Sequence, residues 1–376
     1  MNIPKVVEEG KKGKNKGLPT GIDTLDIAIE GIHKKTIYGI ASAPKVGKSA
    51  LTLFSFIVNP FLYMEKHKDV DIEWIYLSYE MDRIKNELRI ASMFFDIDYG
   101  IRSFFYEGEE YDIKPSYFLG RVKKKNSDEM LPLNKDHEDI LMDIYKKRII
   151  PLFGEYDSLG RQLKPGKIKF FSTPDNPTGI YKMLMRYAED NGKLLYEDYE
   201  TYTDNKEKIK KKKLAGYIPN NPNKYTIIIV DNLRKLKKER GFTLKENIDK
   251  FIAYSVILRN LFKFTFVEII HLNREIANVE RLKFFRDKIF PSGENIKDSG
   301  NLSEEADVLM TMFNPHDEKY NLSEHFGVNL SNYPNYRSIH IVESRDTESP
   351  LHIRVNFNPT TGTYTPLILN NYGINK

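Results

Sequence analysis

The chain has 376 residues, 40% of them hydrophobic and 12% aromatic, with 58 basic against 53 acidic side chains and a formal charge of +5. That much apolar material builds one large core or two modest ones and excludes a disordered polymer, while the near-balanced charge leaves any polyanion affinity to local clusters. Cysteine is absent, which excludes a disulfide framework and thiolate metal sites and suits a reducing compartment.

In chain order, residues 1–16 read as a basic Lys/Gly-rich tail, and "MNIPKVVEEGKKGKNKG" lacks the apolar segment of a signal peptide. Thr36 to Ala41 predicts a buried strand that runs into "ASAPKVGKSA", with a helix from Lys48 onward. The longest apolar run, Leu51 to Met64, is broken by Asn59 and Pro60 and is too short to span a membrane. No membrane partner is expected, and the expected location is the cytoplasm. Glu73 to Ser78 predicts a second strand, followed by a helix with Ile84, Leu88, Ala91 and Phe95 at helical spacing.

Residues from about 100 to 165 and from 193 to 223 are tyrosine- and lysine-rich and read as insertions. Between them lie a strand at Lys167 to Phe171 and a helix with Thr178 as N-cap, Ile180, Leu184, Tyr187 and Ala188 on one face, and Gly192 as its stop. The run "KEKIKKKK" (206–213) reads as a solvated loop or helix face, with nucleic-acid contact as the alternative. Tyr225 to Val230 predicts a strand covered on both faces, and "TLKE" (Thr243 to Glu246) is a capping box that opens a helix through Phe262. Phe264 to Ile270, Asp307 to Phe313, Arg337 to Val342 and Leu351 to Phe357 are further strands. The alternation predicts a three-layer α/β fold with a mostly parallel central sheet and antiparallel edge strands.

The glycine-containing loop carries the chemistry. In the pattern G-x-x-x-x-G-K-[ST], backbone N–H groups at a helix start surround phosphates while a lysine reaches the terminal ones. Here Ser42 takes the first glycine position, Ala43, Pro44, Lys45 and Val46 form the turn, Gly47 admits close backbone approach, and Lys48 supplies the charge. The Ser49 hydroxyl is placed for Mg²⁺, with Ala50 continuing the helix. Asp231 follows the apolar strand "TIIIV" and offers a second metal-side group. Glu80 ends another strand, where an acid–base group belongs in an open α/β sheet, and His271 ends a third.

This ordered set resembles the RecA-fold ATPase domain of DnaB-like replicative DNA helicases over about residues 17 to 368, apart from the insertions. "GLPTGIDTLD" is similar to the family's entry to the first strand, and the family places alanine where Ser42 stands. "SYEM" resembles S-L-E-M, which makes Glu80 the catalytic base, with Arg89 where the next helix has an arginine. "IIIVDNL" resembles Walker B and gives Asp231 the magnesium role. "HLNRE" resembles [QH]-L-[NS]-R and makes His271 the γ-phosphate sensor. "DSGNLSEEADVLM" (298–310) is the most specific match. In "HIVESRD", Arg345 fits the arginine finger that reaches a neighbouring subunit, whereas Glu343 stands where the family has lysine.

The resemblance implies ATP and Mg²⁺ as cofactors and single-stranded DNA as partner; a homo-oligomeric, hexameric ring and a separate primase or loader are expected beside it and are not carried over from the family. Arg234, Lys235, Lys237, Lys238 and Arg240 follow Asp231. Arg274, Arg281, Lys283, Arg286 and Lys288, interleaved with Phe284 and Phe285, follow His271. Both clusters fall on channel-loop positions, where cations track the phosphate backbone and aromatics stack on bases. The absence of the family's helical N-terminal domain and of a fused primase points to a viral or mobile-element replisome. The alternatives are a RecA-like filament-forming recombinase and a nucleotide-gated DNA-binding assembly ATPase without unwinding activity.

Overall fold

A strand with helices on both faces has no solvent side, and β1 (Ile37–Ser42) is accordingly buried along its whole length. The computed structural model describes residues 3–11, 16–202, 208–272, 286–296 and 300–369. Ile3–Lys11 form an exposed helix, α1, where a tail was expected, and α2 (Asp23–Ile29) precedes β1. After the phosphate-loop sequence, α3 (Lys48–Leu53) passes through a π turn (Phe54–Val58) into α4 (Asn59–Lys66). The Trp74 indole donates to the Phe56 carbonyl inside that turn at 2.7 Å, tying it to β2 (Asp71–Ser78).

The helix α5 (Arg83–Tyr99) buries Asn86, Ile90, Met93 and Phe94, whereas Ile84, first of the helically spaced apolar residues, is 55% exposed. Its first turn borders the open site described below, so polar anchoring replaces apolar burial there: the Asn86 amide donates to Ser78 Oγ at 3.2 Å and to the Asp82 carbonyl at 3.0 Å.

The first insertion comprises the hairpin β3 (Ser103–Tyr106) and β4 (Glu109–Asp112), and α6 (Pro115–Phe118). α7 (Lys135–Ile144) then continues through a second π turn into α8 (Ile150–Phe153), which leads to the hairpin β5 (Gly154–Tyr156) and β6 (Gln162–Pro165). Ile113, Tyr117, Ile144 and Phe153 join the same apolar cluster as β1 and α5, so this insertion is packed onto the domain.

After β7 (Ile168–Phe171), α9 spans Pro177–Asp190. Its N-cap is Asn176, which accepts from the Gly179 N–H at 2.9 Å, and not Thr178. Pro177 explains the shift, since its fixed φ and missing N–H suit the first helical position. Ile180, Leu184, Tyr187 and Ala188 are buried as predicted, and Gly192 opens a strand one residue beyond the Asn191 cap.

The second insertion is a ribbon of β8 (Gly192–Tyr202) and β9 (Lys208–Pro219). The described part of the basic run is thus strand, not loop or helix, and Lys206 lies outside the described residues. Lys213, Lys212 and Lys210 stand opposite Glu197, Asp198 and Glu200, a cross-strand arrangement that neutralises the run locally.

β10 (Lys224–Asp231) leads to α10 (Leu244–Phe262), whose capping box is formed in full: Glu246 N–H donates to Thr243 Oγ1 at 3.2 Å and Thr243 N–H to Glu246 Oε2 at 2.7 Å. Thr243→Ala is expected to cost about 1 kcal/mol, read as a lower midpoint in chemical denaturation with an unchanged slope. β11 (Thr265–His271), α11 (Gly300–Glu305) and β12 (Val308–Phe313) follow. A short hairpin, β13 (Glu324–His325) and β14 (Val328–Asn329), precedes the edge strands β15 (Tyr336–Ser344), β16 (Leu351–Phe357) and β17 (Tyr364–Pro366).

The nine-stranded sheet has the order β17-β16-β15-β12-β1-β11-β10-β2-β7. Pairings from β12 to β7 are parallel, and those of β15, β16 and β17 are antiparallel. One apolar cluster joins the sheet to α3, α4 and α5, and another joins its opposite face to α9 and α10, which gives the three layers. The carboxyl ends of β1, β2, β10 and β11 therefore open on one edge, where ligand sites of such sheets lie.

Candidate nucleotide and metal site

Ser42 is still strand: its partners are His271 on one side and Met312 on the other, and it is fully buried. Its hydroxyl donates to the Ala43 carbonyl at 2.7 Å, and its carbonyl accepts from Leu272 N–H at 3.0 Å. The positive backbone angles fall on Lys45 (φ 65) and Gly47 (φ 114) instead, so the position of the first glycine needs none here. Gly47 does need to be glycine. A Cβ there would sit 2.4 Å from the Tyr364 hydroxyl, which donates to the Gly47 carbonyl at 3.0 Å. No side chain caps the start of α3, leaving its first N–H groups available to a ligand.

Lys48 is 6% exposed, and its ammonium lies 3.0 Å from His271 Nδ1. Burial pulls its pKa down to about 8, against the pull of Asp231 and Glu80. His271 is lowered too, by burial and then by Lys48, so it is neutral at pH 7. Its Nδ1 accepts from the lysine, which puts the ring proton on Nε2, 3.3 Å from Glu80 Oε1. The Asn232 amide also donates to Glu80 Oε1, and Asn232 Oδ1 accepts from Arg234 N–H at 2.9 Å. Glu80 is thus held by two donors from neighbouring strand ends.

Asp231 is 1% exposed, and neither carboxylate oxygen has a hydrogen-bond partner among the described residues. Burial pushes its pKa up to about 6, with Ser49, Lys48 and Arg89 only partly offsetting that rise. A buried carboxylate without partners is costly and is relieved by a cation. Its neighbours Ser49 and Glu80 supply oxygen only, the donor chemistry of Mg²⁺. Among the described residues there is no cluster of three or more histidines and acids able to hold a metal alone. A cation here would share its coordination with phosphate oxygens, as Mg²⁺ does at nucleotide sites. Tyr79 N–H donates to the Asp231 carbonyl at 2.8 Å, locking the ends of β2 and β10 together.

Lys48, Ser49, Glu80 and His271 border an open cavity of about 920 Å³, lined also by Pro44, Lys45, Gly47 and Ala50, with Asp231 buried behind them. Arg89 also lines it, half-buried, with no hydrogen bond or ion pair among the described residues. Ser42, Ala43 and Val46 form the frame behind the lining.

Arg345 sits elsewhere. Its N–H donates to the Asp307 carbonyl at 3.0 Å, and its guanidinium donates to the Glu304 carbonyl at 3.1 Å and lies 3.5 Å from the Asp307 carboxylate. Asp307 in turn accepts from Ile37 N–H at 2.7 Å, at the start of β1, and from Arg259 at 2.8 Å. The phosphate loop leaves the far end of that strand, roughly 20 Å away at 3.3 Å per residue. Glu343 accepts from Ser303 Oγ on α11.

Leu233 and Leu236 are buried and anchor the loop after Asp231, leaving Arg234, Lys235, Lys237 and Lys238 exposed beside the site. Arg286 and Lys288 lie exposed in a short 3₁₀ turn, with Arg286 donating to the Asn321 carbonyl at 2.7 Å. Arg274, Arg281, Lys283, Phe284, Phe285, and Asp298 and Ser299 of the most specific motif, lie outside the described residues.

Sequence reasoning passed over Asn232 and Tyr364. Asn232 adjoins Asp231, and that adjacency was its signal. Tyr364 lies 317 positions from Gly47, and nothing local marks it. No described helix is long and apolar enough to cross a membrane.

Neither a family model nor a curated protein matches the sequence. Among solved structures, the chain is similar to one described as a DnaB-like replicative helicase and its interactions with primase, with a TM-score of 0.60 and 16% identity, covering 97% of this chain and 68% of the other. It is likewise similar to a second solved structure, described as an ATPase domain, with a TM-score of 0.59 and 15% identity, covering 97% of both chains. With its mostly parallel sheet and antiparallel edge, the chain has the RecA-like fold of the ATPase domains of DnaB-like replicative helicases.

Proposed function

We propose that the chain is the motor subunit of an ATP- and Mg²⁺-dependent DNA helicase that moves along single-stranded DNA during replication. The observation that carries this reading is the buried, unpartnered Asp231 carboxylate beside Lys48 and Ser49 at the carboxyl edge of the sheet. Lys45, Lys48 and Arg89 would neutralise the triphosphate, while Ser49 and Asp231 would hold Mg²⁺. Screening of phosphate charge is the chemistry such a cation would supply when held by Ser49 and Asp231. Glu80, aimed by Asn232 and His271, would accept the proton of the attacking water.

His271 touches both Lys48 and Glu80 and opens the segment that carries the second basic cluster. Loss of the terminal phosphate would therefore be felt at the start of a DNA-contacting loop. Arg345, on the far edge of the domain from its own Lys48, would serve another copy's nucleotide. A head-to-tail contact of that kind is heterologous and closes into a ring when its rotation allows, here a hexamer. Because Glu343 is engaged by Ser303, Arg345 would be the sole cation offered across that contact. A separate primase or loader is the corresponding partner, by analogy with the solved helicase described with primase.

Strand displacement on forked DNA, with oligomeric state measured by native mass spectrometry on the same preparation, tests the reading. ATP- and Mg²⁺-dependent displacement by a hexamer is expected. ATP turnover without displacement would leave only an assembly ATPase, and long filaments on DNA would leave a recombinase.

A further inference from the structure

The cavity around Lys48 has a wall that the nucleotide-binding motifs do not account for. Two of its sides are the phosphate loop and α5, and a third is Phe357 with the turn from Pro359 to Gly362. The remaining side comes from the first insertion, through Lys114, Ser116, Leu119 and Arg121.

Packing fixes where along the cavity this wall lies. Lys48, Glu80 and His271 mark the phosphate end. From Glu80 the cavity follows α5 past Lys85 and Arg89 to Ser92 and Met93, at about 1.5 Å per residue, and a Cβ on Gly362 (φ +82) would lie 3.0 Å from Met93 Cε and 3.6 Å from Ala50 Cβ. The adjoining Thr361 hydroxyl donates to Asp96 of α5 at 3.0 Å. α6 packs against this same stretch of α5, with the Phe118 and Phe95 rings 5.0 Å apart and Tyr117 only 1% exposed. The Tyr117 hydroxyl accepts from Asn134 N–H at 2.9 Å and pairs with His137 Nδ1 at 3.0 Å. The segment from Lys114 to Arg121 is therefore held beside the second half of α5, near Phe95 and beyond Arg89.

Of its cavity-facing groups, Lys114 pairs with Asp112 at 3.6 Å, whereas Leu119 and Arg121 are left unused among the described residues. Leu119 is 38% exposed and lines the open cavity with an apolar side chain. Arg121 makes no side-chain hydrogen bond or ion pair among the described residues, while its N–H is tied to the Ser116 carbonyl at 2.9 Å. An apolar surface paired with a guanidinium suits a flat heterocycle and its ribose, which offer a face to cover and a π system for the cation.

We propose that the segment from Lys114 to Arg121 is a nucleotide-contacting element supplied by the insertion, with Leu119 covering the base and Arg121 lying against the base-and-ribose end. This rests on the ATPase reading above. It makes the insertion the part of the site that distinguishes a nucleoside triphosphate from bare triphosphate, and it couples nucleotide occupancy to the insertion.

The test is titration of the full chain with ATP and with inorganic tripolyphosphate, using Leu119→Ala and Arg121→Gln, both surface changes checked by an unchanged melting temperature. Each variant is expected to bind ATP about five- to tenfold more weakly. Tripolyphosphate affinity should be unchanged in Leu119→Ala. Backbone amide exchange across residues 114–121 of the unmodified chain should slow when ATP is added. Unaltered ATP affinity in both variants, with Lys48→Ala losing binding, overturns the role of the insertion and leaves the ATPase reading standing. Equal weakening toward ATP and tripolyphosphate in Leu119→Ala overturns the base-end placement. An unmodified chain that binds no ATP overturns both readings.

Discussion

Replacing Lys48 with alanine is expected to lower DNA-stimulated ATP turnover to below about a hundredth, with ATP binding weakened as well, because the lysine's charge acts in a buried site. Its ammonium sits 3.0 Å from His271 and faces Asp231 and Glu80, so its loss also disconnects the group that links the phosphate end to β11. Glu80→Gln separates the steps: ATP affinity should stay within a few-fold while kcat falls by ~10²–10⁴, the range for a lost general base. Gln keeps the shape and can still accept from Asn232 and His271, so the geometry survives and the proton acceptor does not. Steady-state turnover and equilibrium binding on the same variants measure this. Near-normal turnover in both would remove the catalytic assignment.

Asp231→Asn is expected to make the metal-free protein more stable and nearly inactive. Burial lifts the Asp231 carboxyl from its ordinary 3.8 to about 6, which corresponds to about 3 kcal/mol against the charged form. A neutral amide of the same shape removes that charge, so at pH 7.5 the variant should gain about 1–3 kcal/mol and a few degrees in melting temperature. The sign with pH follows from the raised value. The folded state binds this proton more tightly than the unfolded chain, so the group's stabilising contribution is complete below about pH 4 and is lost as pH rises through about 6. Mg²⁺ competes with the same proton and should raise the melting temperature at pH 8, little at pH 5, and not at all in the variant. Thermal melts with and without Mg²⁺, and turnover in parallel, decide the matter. A variant that Mg²⁺ still stabilises would remove Asp231 from the metal site. On the proposed reading, stability would be given up here to keep a cation site ready.

Local patterns foretold much of the fold because they are themselves local physics. The unbroken apolar run before Asp231 could only be a strand covered on both faces, and Thr243 with Glu246 satisfies its own helix start. The cap of α9 was misplaced by two residues because Pro177 determines the first turn more strongly than Thr178 does. Ile84 shares the helical spacing of Ala91 and Phe95 yet is exposed, because spacing cannot tell that the first turn of α5 lies at the rim of a cavity.

The sequence by itself determined which chemical groups the chain owns and the strand ends that carry them: Lys48 and Ser49 after β1, Glu80 after β2, Asp231 on β10 and His271 on β11. Strand ends can be read without coordinates because hydrophobic periodicity stops where the strand stops. Tertiary structure alone decided which of these meet. Parallel pairing of β2, β10, β11 and β1 brings Glu80, Asp231, His271 and Lys48 to one edge, while antiparallel β15 delivers Arg345 to the other. Such contacts join positions hundreds of residues apart, as Tyr364 joins Gly47, and depend on strand order and direction, which no local pattern records.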